Sequence, residues 1–109
     1  MYQDRVVLCA SSAYTKKFWF NEDFKTLPEP IQQELKIICV LFTEDVGGVL
    51  SLEYEEDGTL VLKAAADEGD YLYDEIGSVL KIKEIQRTKA ELLESLELYY
   101  KVFFLDGNA

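Results

Sequence analysis

Residues 49 to 66, VLSLEYEEDGTLVLKAAA, constrain the fold most, because their alternation of apolar and polar residues fixes how two strands pair. A two-residue turn at Asp57 and Gly58 would set polar side chains opposite apolar ones. A three-residue loop that ends at Gly58 keeps one face apolar, so we predict a type I turn with a left-handed Gly58 in a bulge. The resulting register pairs Leu50 with Ala64, Ser51 with Lys63, Leu52 with Leu62, and Tyr54 with Leu60.

Residues 29 to 46 have the spacing of an amphipathic helix. Its apolar side chains recur at helical intervals and are Ile31, Leu35, Ile38, Cys39, Phe42 and Val46. Pro28 and Pro30 suit only a first turn, and Gly47 suits a left-handed end. The run IICVLF is apolar on every side of the helix, so we expect it to be covered on more than one face.

The N-terminal part of the chain predicts a second hairpin, with strands at residues 5 to 10 and 14 to 21 and a small, polar connection between them. In the second strand, Phe18 and Phe20 share the core face, whereas Lys17 and Trp19 share the other face. An indole on a polar face is either covered by a neighbour or part of an interface.

Residues 71 to 105 predict helix, with two apolar stripes in its second half. One stripe holds Leu92, Leu96, Tyr99 and Phe103, and the other, roughly 100° away, holds Leu93, Tyr100 and Phe104. The apolar residues of the first half fall opposite the first stripe, and TKAE at residues 88 to 91 has the form of a capping box. We predict a kink or break near Arg87 and Thr88; the alternative is one long helix whose halves touch different partners.

These elements predict one α+β domain over residues 1 to 109, in the order β-β-α-β-β-α(α). About four strands form an antiparallel sheet, and the helices pack on one of its faces. The helices carry more apolar surface than one small sheet can cover, which favours a homodimer. We expect its interface at Trp19, Leu93, Tyr100 and Phe104.

Negative charge is concentrated in the middle of the chain. Residues 44 to 75 hold eleven acidic side chains and one basic one, Lys63, so this window accounts for the whole formal net charge of −10. The window predicts an acidic docking surface for a basic protein partner. The same charge disfavours binding to nucleic acid and to anionic membranes.

The distribution of apolar residues predicts the cellular compartment of the protein and the state of its two cysteines. No run of about 18 uncharged apolar residues and no secretory start is present, which predicts a cytoplasmic protein. Cys9 and Cys39 each lie inside an apolar run, where a thiol behaves as a small buried hydrophobe. We expect two free structural cysteines, with a disulfide or a reactive thiol as the alternatives.

The stretch DEGDYLYDEIG, residues 67 to 77, holds five carboxylates and two tyrosines. Asp67 or Asp70 can cap a helix that starts near Tyr71, and Asp74 and Glu75 then suit the positive end of its dipole. A docking face is the second interpretation. An irregular divalent-cation site at Asp67, Asp70, Asp74 and Glu75 is the third, although the alternation that a calcium loop requires fails after Asp67.

The search for catalytic residues gives no candidate. The chain has no histidine, which removes Ser-His-Asp, Cys-His and His-ligated zinc arrangements. Two isolated cysteines cannot form a structural zinc site, and no P-loop is present. We therefore expect no cofactor and no enzymatic activity.

Four stretches resemble a family of short acidic bacterial proteins classed as a domain of unknown function: RVVLCASSAYTKKFWFNEDF, LFTEDVGGVLSLEYEEDG, LYDEIGSVLKIKEIQ and ELYYKVFFL. The resemblance implies a self-contained protein and carries over no site. By elimination, we expect a non-catalytic, homodimeric interaction or regulatory domain with its docking surface at residues 44 to 75. The alternative is a small-ligand or divalent-cation binder that uses the carboxylates of residues 67 to 75.

Overall fold

Four antiparallel strands form one sheet in the computed structural model, which describes residues 6–105. The strands are β1 (Val6–Ser12), β2 (Lys17–Phe20), β3 (Val49–Tyr54) and β4 (Leu60–Ala65). Their order is β2-β1-β3-β4, so two hairpins lie side by side and the central strands β1 and β3 pair with each other. The predicted α+β fold with an antiparallel sheet is confirmed.

Within residues 6–105, three α-helices accompany the sheet: α1 (Glu29–Val46), α2 (Glu75–Thr88) and α3 (Ala90–Tyr100). A short 3-10 turn at Glu22–Phe24 precedes α1, and one π-helical turn at Lys101–Leu105 follows α3. The predicted bounds of α1 are confirmed at both ends. Gly47 has a φ of 85°, and its N–H donates to the carbonyl of Thr43 at 3.0 Å, which ends the helix.

The register of the β3–β4 hairpin is the one predicted from the alternation. Leu52 lies opposite Leu62 and Tyr54 opposite Leu60. The N–H of Gly58 donates to the carbonyl of Glu55 at 2.9 Å, and Gly58 has a φ of 92°. The three-residue loop with a left-handed glycine is therefore confirmed.

Strand β1 is longer than predicted, because Ser11 and Ser12 pair with β2 and do not form the connection. Ser11 is buried and its hydroxyl lies 2.9 Å from the Thr43 hydroxyl on α1. A hydrogen bond to a distant helix thus allows a polar residue inside the core. The strand β2 starts only at Lys17, and the predicted first residue, Arg5, lies outside the described residues.

The predicted break in the C-terminal helix is confirmed at Lys89, which has φ −113° and ψ 25° between α2 and α3. The predicted capping box is wrong. Thr88 ends α2, and its hydroxyl donates backwards to the carbonyl of Glu84 at 2.9 Å. No side chain caps α3, and the Lys89 ammonium binds the Glu34 carboxylate on α1 at 2.8 Å.

The helices pack on one face of the sheet. The β3 residues that point to this face are buried: Leu50, Leu52 and Tyr54. The alternate residues of β3 are only half-buried and point to the other face: Val49, Ser51 and Glu53. An antiparallel sheet tolerates one solvated face, and this strand shows the expected alternation.

Stacked aromatic rings join the sheet to α3. The ring of Tyr54 stacks on that of Tyr100, with centroids 4.2 Å apart, and Phe24 stacks on Tyr54 and on Phe104. The Tyr54 hydroxyl donates to the carbonyl of Leu96 at 2.8 Å. Aromatic pairs of this kind contribute about 0.5–1.5 kcal/mol each beyond the area that they bury.

The two cysteines are free and buried, as predicted, and they lie side by side, which the sequence did not indicate. The Sγ atoms of Cys9 on β1 and Cys39 on α1 lie 3.8 Å apart. The contact with Cys39 and burial together raise the pKa of the Cys9 thiol far above its ordinary value. Because the thiolate is the reactive form, this pair is a packing contact in the reduced protein.

Replacing Gly48 by alanine should lower the free energy of unfolding by about 2–5 kcal/mol, because a left-handed φ and a steric clash both oppose a Cβ there. Gly48 has a φ of 71°, and a Cβ would lie 2.4 Å from the carbonyl oxygen of Ala65. Gly69 is the matched control, since its φ is 86° but nothing lies within 4 Å of a Cβ. Gly69→Ala should cost about 1–2 kcal/mol. Urea unfolding measures both, and equal costs would contradict the close approach.

Stability should fall as the pH rises above about 10, where the tyrosines of the unfolded chain ionise. Burial raises the pKa of Tyr54 and Tyr100 above the ordinary value, so the folded protein retains these protons longer. The stability that these two buried phenols contribute is fully present below the pKa of tyrosine in the unfolded chain. It is lost as the pH rises from that value through the higher pKa of the folded state. Tyr54→Phe should make the alkaline fall shallower and cost about 1 kcal/mol at pH 7 for the lost hydrogen bond.

The control for this pH profile is Tyr71→Phe, because the Tyr71 side chain is 95% exposed. Chemical denaturation at a series of pH values measures the free energy of unfolding. An alkaline fall that is as steep in Tyr54→Phe as in the unchanged protein would contradict the role of the buried phenol.

Candidate functional site

Tyr14 in the β1–β2 turn makes hydrogen bonds to the acidic segment at residues 67 to 75. The Tyr14 hydroxyl donates to Oδ2 of Asp70 at 2.5 Å and accepts the backbone N–H of Asp67 at 2.9 Å. The hydrogen bond to Asp70 raises the pKa of Tyr14 above its ordinary value. The other oxygen of Asp70 accepts the N–H of Leu72 at 3.0 Å, so both oxygens of this carboxylate are engaged within the protein.

The cap of α2 is Asp74, so the prediction of Asp67 or Asp70 as the cap is wrong. Oδ1 of Asp74 accepts the N–H of Gly77 at 2.8 Å, and the helix begins at Glu75 rather than near Tyr71. The earlier aspartates are held by the Tyr14 contact and by turns. Sequence alone could not separate these carboxylates, since each is a good capping residue.

The four candidate metal ligands do not form a cation site in the structure. Within residues 6–105, no group of three or more acidic or cysteine side chains is placed to hold an ion. Asp70 and Asp74 accept hydrogen bonds from nearby N–H groups, as described above, and Asp67 and Glu75 are exposed. The segment serves as a helix start and a turn.

The acidic residues of the 44 to 75 window lie in two groups at opposite ends of the sheet, so the predicted docking surface would not be continuous. Seven of the eleven lie near the end of α1 and in the segment that leads to α2: Glu44, Asp45, Asp67, Glu68, Asp70, Asp74 and Glu75. Three others, Glu55, Glu56 and Asp57, form the β3–β4 turn at the opposite end. The length of β3 separates the two groups by roughly 17 Å.

Three of the four predicted interface residues belong to the core of the subunit. Leu93 and Tyr100 are buried, and Phe104 packs against Phe24 with ring centroids 4.8 Å apart. Their assignment to a dimer contact is corrected, because the stripe that they form faces the aromatic cluster. Trp19 lies on the face of the sheet away from the helices and is 52% exposed.

Exposed apolar side chains occur instead on the outer side of α1 and α2. We define the helix patch as the five large apolar residues of α1 and α2 that are between 52% and 76% exposed: Ile37, Leu41, Ile76, Val79 and Leu80. Large exposed apolar areas on a soluble protein often mark an interaction site. The helix patch is therefore the candidate functional surface.

The two helices of the patch run antiparallel and are joined by ion pairs. The Lys81 ammonium lies 2.9 Å from the Asp45 carboxylate, and Lys89 pairs with Glu34. A shallow groove of about 250 Å³ lies between the helices, with Ile37 and Leu41 on one wall. The patch therefore combines apolar side chains with charged groups of both signs.

The sequence carried a signal for this surface. The run that contains Leu41 is apolar on every side, and the apolar residues of α2 project away from the stripes of α3. The same helical projection could have assigned the patch. It could not show which face the sheet covers, because that choice depends on tertiary packing.

In the described part of the chain, no helix is long and apolar enough to cross a membrane. No curated protein and no solved structure matches the chain. The sequence model of a family of unknown function, DUF6145, matches residues 5–108. This match spans nearly the whole chain, and the protein belongs to the family of unknown function DUF6145.

Proposed function

We propose that this protein is a non-catalytic interaction domain that works as a homodimer, and that the helix patch is the contact between the two copies. The observation that carries the proposal is the exposure of five large apolar side chains on the outer side of one helix pair. Each is more than half exposed although the chain buries an extensive core. A second copy would remove these side chains from water.

The size of the apolar effect is appropriate for a reversible dimer. Two copies contribute ten such side chains, and burying each half-exposed one contributes about 1 kcal/mol. Association costs about 4–15 kcal/mol in lost freedom of motion. The two magnitudes are comparable, so we expect a dimer that dissociates on dilution.

Charge supports a second copy as the occupant of the patch. Helix α1 has four acidic residues and one lysine, a net charge of −3, whereas α2 has two acidic and three basic residues, a net charge of +1. On the outer side of α2, Lys83 and Arg87 follow Ile76 and Leu80 at helical spacing. A two-fold arrangement would set these cations against Glu34 or Glu44 of the other copy, which reduces repulsion between two chains of net charge −10.

The non-catalytic part of the proposal is supported by the chemistry of the chain. The sequence has no histidine, and both thiols are buried against each other. The acidic side chains of residues 67 to 75 are either exposed or bonded to backbone N–H groups nearby. These observations favour a binding role over proton transfer or nucleophilic chemistry.

Placing a lysine in the helix patch should dissociate the dimer. Leu80→Lys adds a charge that the interface would have to bury, and we expect the dissociation constant to rise about tenfold or more. The matched control is Leu98→Lys on α3, because Leu80 and Leu98 are each 62% exposed and undergo the same change in charge. Sedimentation equilibrium over a range of protein concentrations measures the association.

The unchanged protein and Leu98→Lys should approach twice the chain mass of 12.5 kDa as concentration rises, whereas Leu80→Lys should need about tenfold or more higher concentration to do so. A monomeric unchanged protein at every concentration would refute the proposal. The reverse pattern, with Leu98→Lys dissociated and Leu80→Lys intact, would place the contact on α3 and would also refute it.

A further inference from the structure

A cavity of about 590 Å³ lies between the β1–β2 hairpin and one face of α1. Its lining includes Lys16, Lys17 and Phe18 from the hairpin, but the side chain of Lys17 alternates with that of Phe18 and points to the other face of the sheet. Lys36 and Val40 from α1 lie opposite, at helical spacing. The cavity is separate from the helix patch, since Ile37 and Leu41 lie on a different face of α1.

Within the described residues, the lysines that line the cavity make no ion pair with the surrounding protein. Among residues 6–105, the lysines with ion pairs are Lys81 and Lys89, and none of the three cavity lysines makes one. Glu44 is the single acidic residue of the described lining, so Lys16, Lys36 and Glu44 together have a net charge of +1, whereas the whole chain has −10. A strongly acidic protein therefore places two lysines together at one concave site.

The hydroxyl groups of the lining show which other donors are available. The Thr43 hydroxyl can donate to the carbonyl of Val40 at 3.2 Å and accept from Ser11 at 2.9 Å, so this pair is satisfied. The Ser12 oxygen accepts the N–H groups of Tyr14 and Thr15. The hydroxyl hydrogen of Ser12 has no protein acceptor among the described residues, and it can be donated to a ligand.

The backbone at Lys16 has a left-handed conformation, as the last residue of a hairpin loop often does. Lys16 has a φ of 57°, a left-handed conformation that glycine or asparagine adopts more readily. It is the last residue of the β1–β2 turn, where a glycine would avoid the strain. A lysine of the cavity lining thus stands at a position that favours glycine.

We propose that this cavity binds a small phosphate monoester with an apolar, preferably aromatic, body. A phosphate monoester has a charge near −2 at neutral pH, which the ammonium groups of Lys16 and Lys36 would attract. Lysine ammonium groups and a serine hydroxyl are suitable donors for its oxygens. Phe18 and Val40 supply an apolar wall for the body of the ligand.

Calorimetric titration with phenyl phosphate tests the proposal, with inorganic phosphate and benzyl alcohol as comparison probes. We expect saturable binding of phenyl phosphate, weaker binding of inorganic phosphate, and no binding of the neutral alcohol. Because the lysines are exposed, added salt should weaken the binding. No saturable binding of phenyl phosphate, or equal binding of the neutral alcohol, would overturn the assignment.

Two substitutions locate the site. Lys36→Gln should weaken phenyl phosphate binding about tenfold or more, the effect expected for one charge-assisted hydrogen bond. Lys63→Gln on β4 is the matched control, because it changes the net charge equally but lies on the face of the sheet away from α1. An equal loss of affinity in both variants would show a general charge effect and would overturn the site.

Lys16→Gly separates binding from folding. The glycine relieves the left-handed strain, so the melting temperature should rise by about 4 °C while phenyl phosphate affinity falls about tenfold. A variant that is as stable as the unchanged protein and binds phenyl phosphate with the same affinity would overturn the role of Lys16.

Discussion

The contact between Tyr54 and α3 determines how the C-terminal helices pack on the sheet. Tyr54 ends β3 inside the core, where its ring stacks on Tyr100 and its hydroxyl donates to the carbonyl of Leu96. These contacts direct the inner stripe of α3 toward the sheet and Phe24. With α1 and α3 covering that face of the sheet, the apolar residues of α2 that point outward stay more than half exposed within residues 6–105. The exposure of the helix patch thus follows from the way in which the core is closed.

Much of the fold could be predicted from the sequence, because the decisive signals are local. The alternation around Gly58 fixes the register of a hairpin, and prolines and a glycine fix the bounds of α1. Predictions failed where the deciding partner is distant in sequence. Ser11 belongs to a strand because of Thr43, which lies 32 residues away. The aspartates of the 67 to 75 segment are sorted by Tyr14, which no local pattern indicates.

The candidate sites show the same limit. A helical projection indicates surplus apolar surface, but it placed the dimer contact on Leu93 and Tyr100, which the aromatic cluster buries. Net charge along the chain suggested one acidic surface, but the sheet separates the acidic residues into two groups. The cavity could not be predicted from the sequence either. Lys16 and Lys36 belong to different elements, and only the packing of α1 on the hairpin brings them together.

The central claim is that the helix patch is the contact between two copies of this chain. Methyl NMR spectra recorded over a dilution series test it most directly, because each leucine reports on its own surroundings. The account predicts that the methyl signals of Leu41 and Leu80 shift with protein concentration while those of Leu98 remain constant. Signals of Leu41 and Leu80 that do not change with concentration, or a shift confined to Leu98, would contradict it.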